Sequence, residues 1–425
     1  MHKFRACAFC MRLYTEGCRR TTAPAKVRPA PGEERAILIT ILRNCDVYAP
    51  ERIGRKDILL AGGRIAAVED AIAHPGWPHV DEIDCGEAPV VPGFIDSHVH
   101  ILGGGGSNGP HTRGPELQLS DFTSTGITTA VGLLGADGIT RDLRGLIAKA
   151  RALAYEGLST FVFLGAYDVP PPTITGDRKL DLFLVELALG VGEIAISDVR
   201  SSQPTAQELA RIAADAAIAG RLTGRGGVVN VHVGPGKRGL ELLFDVVEST
   251  DLPPATFLPT HCNRTGPLLE QAARWGRAGG PVDLTTHRAI PGMVWCPEAV
   301  PFLLNKGVPL ENISMSTDAG GVYPHLTDDQ GRPAMVRWET HLLHDELVAL
   351  VESGMDLEQA VRLVTANPAR HLRLYPRKGV IRPGADADLV VLNGDFTIDK
   401  VVAGGRLMVT DGKPIATGTF ETSHR

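Results

Sequence analysis

The stretch PTAQELARIAADAAIAGRL (residues 204–222), followed after a short break by VVNVHV (228–233), decides the fold. The first segment has the apolar spacing of a helix, and Thr205 with Glu208 forms a capping box at its start. The second segment is a short apolar run typical of a strand, and FLPTHC (257–262) has the same character. Helices that alternate with such strands predict a parallel sheet in an α/β fold.

This alternation continues over most of the chain, from residue 92 to about residue 375. For example, HLLHDELVALVESG (341–354) predicts another helix, closed by Gly354 as its C-cap. A segment of about 280 residues accommodates eight βα units of about 35 residues each, which is the size of a TIM barrel. We therefore expect a (β/α)8 TIM-barrel domain over residues 92–375.

Both ends of the chain instead predict short antiparallel strands. Gly62-Gly63 separates two β-type runs near the start, and Gly404-Gly405 does the same near the end. Such glycine pairs are typical of tight hairpins, because both positions can adopt positive φ. We expect residues 37–91 and 376–420 to form one small β-sandwich domain, into which the barrel is inserted.

The first 36 residues differ from the rest in composition. A run rich in Pro and Ala predicts a disordered leader over residues 1–36. A zinc knuckle is the alternative, with ligands drawn from Cys7, Cys10, Cys18 and His2. No fourth ligand stands at a regular spacing from the cysteines, so we prefer the disordered leader.

Composition restricts the classes of function. The chain has 425 residues, a net charge of −6 and 43% hydrophobic residues, which is ordinary for a globular protein and argues against a nucleic-acid partner. No run approaches the roughly 20 apolar residues of a membrane helix, so we expect no membrane partner. The seven cysteines lack the spacing of a disulfide framework, and the N-terminus lacks the features of a secretory signal. These observations favour the cytoplasm.

Histidines and carboxylates supply candidate metal ligands. His98 and His100 follow the run VVPGFID, and on a strand two imidazoles two residues apart share a face. The later candidates follow at intervals near one, two or three times the roughly 30–35 residues of one βα unit. Those later candidates are Glu193, His232, His261 and Asp318. The spacing predicts that all of them meet at the carboxyl ends of strands 1, 4, 5, 6 and 8, where barrel active sites lie.

Longer motifs carry a family resemblance. One group comprises VVPGFIDSHVH (90–100), ISDVRSS (196–202), VVNVHVG (228–234), LPTHCNR (258–264), SMSTDAGG (314–321) and the closing ANPAR…DLVVL (366–392). This group resembles the amidohydrolase superfamily. A second group comprises HVHILGGGG (98–106), VGLLGADGITR (131–141) and GAYDVP (165–170), again with ISDVRSS and LPTHCNR. Together these resemble the isoaspartyl (β-aspartyl) dipeptidase family, over about residues 37–420.

The resemblance implies a site with two divalent metal ions, and zinc is the metal that we expect. His98 and His100 match the pair on the more buried ion, and His232 with His261 matches the ligands of the second. The family bridges its two ions with a carbamylated lysine on strand 4, where this chain has Glu193. A glutamate carboxylate can also bridge two cations, although its side chain is shorter than a carbamylated lysine by about three atoms. We expect two ions with Glu193 as the bridge.

The same resemblance implies the catalytic and substrate-binding residues. Asp318 matches the aspartate that binds the first metal and shuttles a proton, and Tyr167 matches the tyrosine that polarises the scissile carbonyl. Arg200 and Arg264 match arginines that hold substrate carboxylates. The planar guanidinium suits this role, because its N–H groups pair two-to-two with a carboxylate.

Two further positions depart from the family. Ser107 stands where the family has a glutamate that receives the α-ammonium of the substrate, and Val322 stands where it has a serine near the substrate. Both changes make the pocket less polar. We therefore expect a free amino group on the substrate to matter less here than in the family.

These observations predict a metal-dependent amide hydrolase that cleaves isopeptide, β-aspartyl dipeptide-like bonds with a metal-activated hydroxide. One alternative is hydrolysis of a cyclic amide or lactone at the same binuclear site. The alternative of another class is a non-catalytic scaffold protein that has the amidohydrolase fold. The resemblance also implies a homo-oligomer that acts on a small molecule or dipeptide.

Overall fold

The structure, a computed structural model, describes residues 39–76, 79–287, 290–327 and 333–421. The predicted leader over residues 1–36 and its three cysteines lie outside these ranges. Among the described residues, no helix has both the length and the apolar character needed to cross a bilayer.

Strands make up both ends of the described chain. The first five are β1 (Ile39–Tyr48), β2 (Arg52–Ala61), β3 (Arg64–Glu69), β4 (Val80–Asp84) and β5 (Pro89–Pro92). The last four are β16 (Leu389–Leu392), β17 (Ile398–Ala403), β18 (Arg406–Thr410) and β19 (Lys413–Pro414).

The middle of the chain contains eight strands with helices between them. These strands are β6 (Phe94–Val99), β7 (Ile127–Gly132), β8 (Ser159–Leu164), β9 (Ala188–Ile196), β10 (Val228–Val233), β11 (Phe257–Thr260), β12 (Val282–Thr285) and β13 (Ile313–Ser316). An antiparallel hairpin follows, formed by β14 (Val322–Thr327) and β15 (Pro333–Arg337).

The α-helices of the described chain are α1 (Leu119–Thr123), α2 (Leu143–Glu156), α3 (Arg178–Leu184), α4 (Ala206–Thr223), α5 (Glu241–Ser249), α6 (Gly266–Arg277), α7 (Cys296–Asn305), α8 (Leu342–Glu352), α9 (Leu357–Val364) and α10 (Ala366–His371). Short 3-10 helices cover Pro110–Thr112, Pro254–Thr256 and Leu310–Asn312.

The eight middle strands pair in parallel. Strands β6 to β11 form one six-stranded sheet in sequence order, and β12 pairs with β13. A parallel bridge between Val99 and Ala319 joins the end of β6 to the chain just after β13. The Cys262 amide donates to the Asp283 carbonyl (3.1 Å), which connects the end of β11 to β12. The predicted parallel α/β arrangement is confirmed for these strands.

The nine strands at the chain ends form a single mixed sheet. Its order is β19-β18-β17-β16-β5-β1-β2-β3, with β4 also beside β1. The predicted glycine turns are confirmed, with φ of 58° and 77° at Gly62-Gly63 and of 55° and 80° at Gly404-Gly405. The expectation of purely antiparallel strands is wrong, because β4 and β5 run parallel to β1. A connection longer than a hairpin turn follows β3, and it brings the chain back in the direction of β1.

The two predicted helices form, with one difference in capping. Helix α4 begins after Thr205, and both hydrogen bonds of the Thr205–Glu208 capping box are present. Helix α8 ends at Glu352 with Ser353 as its C-cap. Gly354 therefore stands one residue beyond the predicted cap position. Its φ of 103° is the left-handed conformation that commonly follows a helix and that glycine adopts without strain.

Glu346 on α8 holds the segment that follows β12. Its buried carboxylate accepts hydrogen bonds from the backbone amides of His287 and of Cys296, the latter at 3.2 Å. Burial raises the pKa of Glu346 to about 7, with Asp345 adding to the rise, while these hydrogen bonds oppose it. The Cys296 thiol also faces this carboxyl, and His287 and Glu298 line the same cleft.

We expect Glu346→Gln to change how stability varies with pH. Between about pH 4.5 and 7 the folded state keeps the Glu346 proton while the unfolded chain loses it. The contribution of Glu346 to the free energy of unfolding therefore falls as pH rises. Glutamine removes the titration, and the variant should gain on the order of 1–3 kcal/mol relative to wild type over this range. Urea unfolding of both proteins at several pH values measures the difference. A difference that is constant with pH contradicts the prediction.

Candidate metal centre

The six predicted ligands lie at the carboxyl ends of five parallel strands. His98 is the penultimate residue of β6 and His100 directly follows the strand, while Glu193 and His232 lie within β9 and β10. His261 follows β11, and Asp318 lies two residues beyond β13. All six side chains are buried. Parallel strands bring their carboxyl ends to the same edge, which is why residues so distant in sequence meet here.

The Glu193 carboxylate lies among the four imidazoles. Its Oε1 atom is 2.6 Å from His232 Nδ1 and 3.4 Å from both His98 Nε2 and His261 Nε2. Its Oε2 atom is 3.9 Å from His100 Nε2. Despite its short side chain, Glu193 therefore reaches the position between the two histidine pairs.

Asp318 also approaches the first histidine pair. Its Oδ1 atom is 3.1 Å from His100 Nε2 and 3.7 Å from His98 Nε2. The Asp318 backbone amide donates to the His98 carbonyl (3.1 Å), which fixes the loop after β13 against β6. Burial opposes ionisation of Asp318, but the hydrogen bond with His100 and the combined electrostatic effects of His100, His98 and Arg264 lower the pKa of the carboxyl.

The donor set fits a divalent metal. Two groups of ligand atoms lie close enough together for one ion each, namely His98 with Glu193 and His261, and His98 with His100 and Asp318. Within the described part of the chain, His98 Nε2 and Glu193 Oε2 are buried and make no hydrogen bond. Buried polar atoms in proteins are nearly always satisfied, so these two are explained by a ligand such as a cation.

Burial also keeps three of the imidazoles neutral, which is the form that binds metal. It lowers the pKa of His98 and of His232 to about 3 each, and that of His261 well below its ordinary value. Burial, with the charge of Asp318 next, raises the pKa of Glu193 well above its ordinary value. A nearby cation offsets that cost, because it stabilises the ionised carboxylate.

The other predicted functional residues surround His232. The Tyr167 hydroxyl is 2.8 Å from His232 Nδ1, and Tyr167 is 5% exposed. Nε2 of His232 lies 3.0 Å from an Arg264 guanidinium nitrogen and 3.3 Å from one of Arg200. The guanidinium carbon of Arg200 lies 5.2 Å from the centre of the Tyr167 ring. One side of the candidate metal centre therefore carries two cationic groups and a phenol.

Ser107 and Val322 lie in the segments that follow the predicted ligands His100 and Asp318 along the chain. Ser107 is exposed in the loop after β6. Val322 starts β14, and its Cγ2 atom would be 2.0 Å from a Cβ placed on Gly105. Val322 thus packs against the glycine-rich loop, which places an apolar contact where the family has a serine.

Sequence reasoning missed two residues that hold the imidazoles. Asp198, at the end of β9, places Oδ2 3.0 Å from His232 Nε2 and also binds Arg200 through two hydrogen bonds (2.8 and 3.0 Å). The Thr285 hydroxyl lies 2.7 Å from His261 Nδ1. A signal for Asp198 was present, since it stands two residues before an arginine within a recognised motif. The hydroxyl of Thr285 has no such signal.

Comparison with known proteins shows relatives in sequence and in fold. The sequence pattern of the Amidohydrolase family matches residues 298–408. An adenine deaminase of Methanothrix thermoacetophila is 25% identical over 409 residues, which cover 93% of this chain and 62% of the relative. The chain thus spans less than two thirds of that curated relative. The dihydropyrimidinase of Brevibacillus agri shares the fold, with a TM-score of 0.63 at 15% identity over 89% of this chain and 97% of the other.

A solved structure gives a stronger match. The β-aspartyl dipeptidase of Fervidobacterium islandicum, solved in complex with a β-Asp-Leu dipeptide, is 39% identical to this chain with a TM-score of 0.82. The match covers 89% of this chain and 98% of that one, so it extends across nearly the whole of the other protein. The chain therefore belongs to the β-aspartyl dipeptidase family of the amidohydrolase superfamily.

Proposed function

We propose that this protein is a metal-dependent hydrolase that cleaves the amide bond of β-aspartyl dipeptide-like substrates. The observation that carries the proposal is the Glu193 carboxylate, which lies within 4 Å of all four imidazoles. The relative from F. islandicum, which was solved with a β-Asp-Leu dipeptide, supports this substrate class.

The proposed cofactors are two divalent metal ions, and zinc is the proposed metal. One ion would be held by His98, His100 and Asp318. The other would be held by His232 and His261, and Glu193 would bind both ions. Such ions lower the pKa of a coordinated water molecule and polarise a substrate carbonyl.

The chain's own residues supply the proton transfer and the substrate contacts. Asp318, whose low pKa keeps it ionised, accepts a proton from the attacking water and returns it to the leaving amine. The Tyr167 hydroxyl, protonated because burial raises its pKa, donates to the carbonyl oxygen as negative charge develops there. Arg264 and Arg200 bind a substrate carboxylate.

Metal content and activity test the proposal together. We expect purified protein to contain close to two equivalents of metal per chain, to lose amidase activity on chelation, and to recover it when Zn²⁺ is restored. The assay should include a β-aspartyl dipeptide, a cyclic amide, a lactone and adenine. Turnover of one of the last three with none of the dipeptide overturns the substrate class. Full activity without metal overturns the metal requirement, and absence of both metal and activity favours the scaffold alternative.

The substrate's amino group gives a separate prediction. Because Ser107 and Val322 offer no negative charge to an ammonium group, N-acetyl or N-succinyl β-aspartyl dipeptides should be hydrolysed with a kcat/KM within about tenfold of the free dipeptide. Tenfold corresponds to about 1.4 kcal/mol, less than a charged hydrogen bond contributes. Ser107→Glu should restore preference for the free amine. A strong preference for the free amine in the wild-type protein contradicts the prediction.

We also propose the finer architecture predicted from the sequence. The eight parallel strands β6–β13 close as a (β/α)8 barrel over residues 92–375, and residues 37–91 and 376–420 form a separate β-sandwich domain. An apolar cluster within the chain-end strands, which includes Leu42, Ile58 and Leu389, supports a second core.

We also propose that the protein forms a homo-oligomer and is located in the cytoplasm. Large apolar side chains are exposed on α3 and on the neighbouring α4, and such patches commonly mark protein interfaces. They are Leu180, Phe183, Leu184, Ile218 and Leu222. Light scattering coupled to gel filtration measures the mass in solution, and a monomer at assay concentration contradicts this assignment.

A further inference from the structure

Asp198 connects the proposed metal centre to the proposed substrate-binding arginines. It is 6% exposed and follows β9, five residues after Glu193. One of its oxygens approaches His232 Nε2 (3.0 Å), and its carboxylate also holds the Arg200 guanidinium and the Arg200 backbone amide. Nothing in the sequence motifs or in the comparisons assigns a role to this residue.

The two ring nitrogens of His232 face different surroundings. Nδ1 faces inward, 2.6 Å from Glu193 Oε1, 2.8 Å from the Tyr167 hydroxyl and 3.1 Å from His261 Nε2. Nε2 faces Asp198 on one side and the guanidinium groups of Arg264 and Arg200 on the other. A neutral imidazole carries one proton, and its neighbours decide which nitrogen holds it.

The arginines and Asp198 favour opposite tautomers. Guanidinium N–H groups only donate, so by themselves Arg264 and Arg200 would favour a lone pair on Nε2 and leave the proton on Nδ1. A carboxylate only accepts, so Asp198 favours the proton on Nε2. The Glu193 carboxylate favours it on Nδ1 unless a bound cation engages that carboxylate, so the contact with Asp198 decides the tautomer in the metal-loaded protein. Asp198 also pairs with Arg200 in a bidentate contact, in which one guanidinium nitrogen binds Asp198 and lies 3.3 Å from Nε2.

We propose that Asp198 is a positioning residue that keeps the His232 proton on Nε2, so that the Nδ1 lone pair faces Glu193 and His261. This inference rests on the proposed function, because it concerns a ligand of the proposed metal centre. His261 has the opposite arrangement, since the Thr285 hydroxyl binds its Nδ1 and leaves Nε2 facing Glu193. His232 therefore faces Glu193 with Nδ1, whereas His261 faces it with Nε2.

Two substitutions separate this role from simple packing. Asp198→Asn keeps the shape, but its amide can donate to Nε2 and favour the wrong tautomer, while Asp198→Ala removes the contact. Carboxylates that orient metal-binding histidines typically contribute 10–100-fold to metal affinity. For both variants we expect one of the two ions to bind 10–100-fold more weakly, measured as Zn²⁺ competition with a chromophoric chelator. Lys237→Ala, an exposed substitution in the cleft that Asp198 also lines, serves as the control.

Cobalt spectra and kinetics provide further readouts. The visible absorption of the Co²⁺-loaded protein should change in both Asp198 variants, and kcat should fall with little change in KM. Arg200→Lys should show the converse, a raised KM with an unaltered Co²⁺ spectrum. If the Asp198 variants bind both ions normally and only raise KM, Asp198 acts through Arg200 alone and the inference is overturned.

A measurement on the wild-type protein does not depend on whether the variants fold. In a crystal structure of the Zn²⁺-loaded protein, anomalous scattering should locate an ion on Nδ1 of His232 with Nε2 hydrogen-bonded to Asp198. An ion on Nε2 overturns the inference while leaving the proposed function intact. Absence of bound metal from an active wild-type protein would instead overturn the proposed function.

Discussion

Replacing Asp318 by asparagine is expected to lower kcat by about 10²–10⁴-fold, the contribution of a positioned general acid–base group. The carboxylate lies 3.1 Å from His100 Nε2, and its pKa is held low despite burial, so it is ready to accept a proton. Asparagine keeps the volume and one oxygen, but it cannot take up a proton at neutral pH. Steady-state kinetics on a β-aspartyl dipeptide measures the loss.

Metal analysis must accompany that measurement, because Asp318 is also a proposed ligand. The Asp318→Asn variant should keep its low kcat after it is reloaded with Zn²⁺, even when it retains the metal. Asp245→Asn, on the exposed surface of α5, provides a matched control with the same chemical change. Activity of Asp318→Asn within about threefold of wild type would exclude the residue from proton transfer.

Replacing Glu193 by glutamine is expected to lower both metal content and kcat/KM. An amide offers one oxygen and one NH₂ group, so it cannot present two anionic oxygens to the histidine pairs that flank it. We expect bound metal to fall from near two equivalents to one or fewer. We also expect kcat/KM to fall on the order of 10³-fold, or about 4 kcal/mol of transition-state stabilisation.

Two comparisons make the Glu193 experiment decisive. Glu298→Gln makes the same change at an exposed position of α7 and should leave metal content and kcat/KM unaltered. Glu193→Gln with two bound ions and normal activity would show that the carboxylate does not bridge them. Circular dichroism should show that the variant keeps its fold, since an uncharged side chain removes the cost of burying a carboxylate.

The sequence predicted the strands of the site because spacing carries that information. Each βα unit has a narrow range of lengths, so the intervals between His100, Glu193, His232 and His261 indicated the first, fourth, fifth and sixth strands of one parallel sheet. The structure places these four residues at the ends of β6, β9, β10 and β11. The same reasoning could not predict which atoms approach one another, since that depends on rotamers and on the twist of the strands.

Contacts between side chains distant in sequence were the part that could not be predicted. Asp283 on β12 accepts hydrogen bonds from Thr260, Ser314 and Ser316 inside the parallel strands, and burial raises its pKa to about 6. Hydroxyl residues are common in strands, so no pattern marks these three as partners of one carboxylate. Glu346 likewise has no sequence feature that distinguishes it from other glutamates in helices. Its hydrogen bonds to the segment after β12 are visible only in the folded structure.

The pairing of β5 with β16 has a consequence for synthesis on the ribosome. One neighbour of β5, β1, has been translated before it, but the other emerges only after all eight parallel strands. Until then the backbone groups by which Val90 and Val91 pair with β16 have no partner strand, and open strand edges recruit strands from other molecules. Premature termination before residue 389 should therefore yield chains that depend on chaperones, even where the catalytic strands are complete.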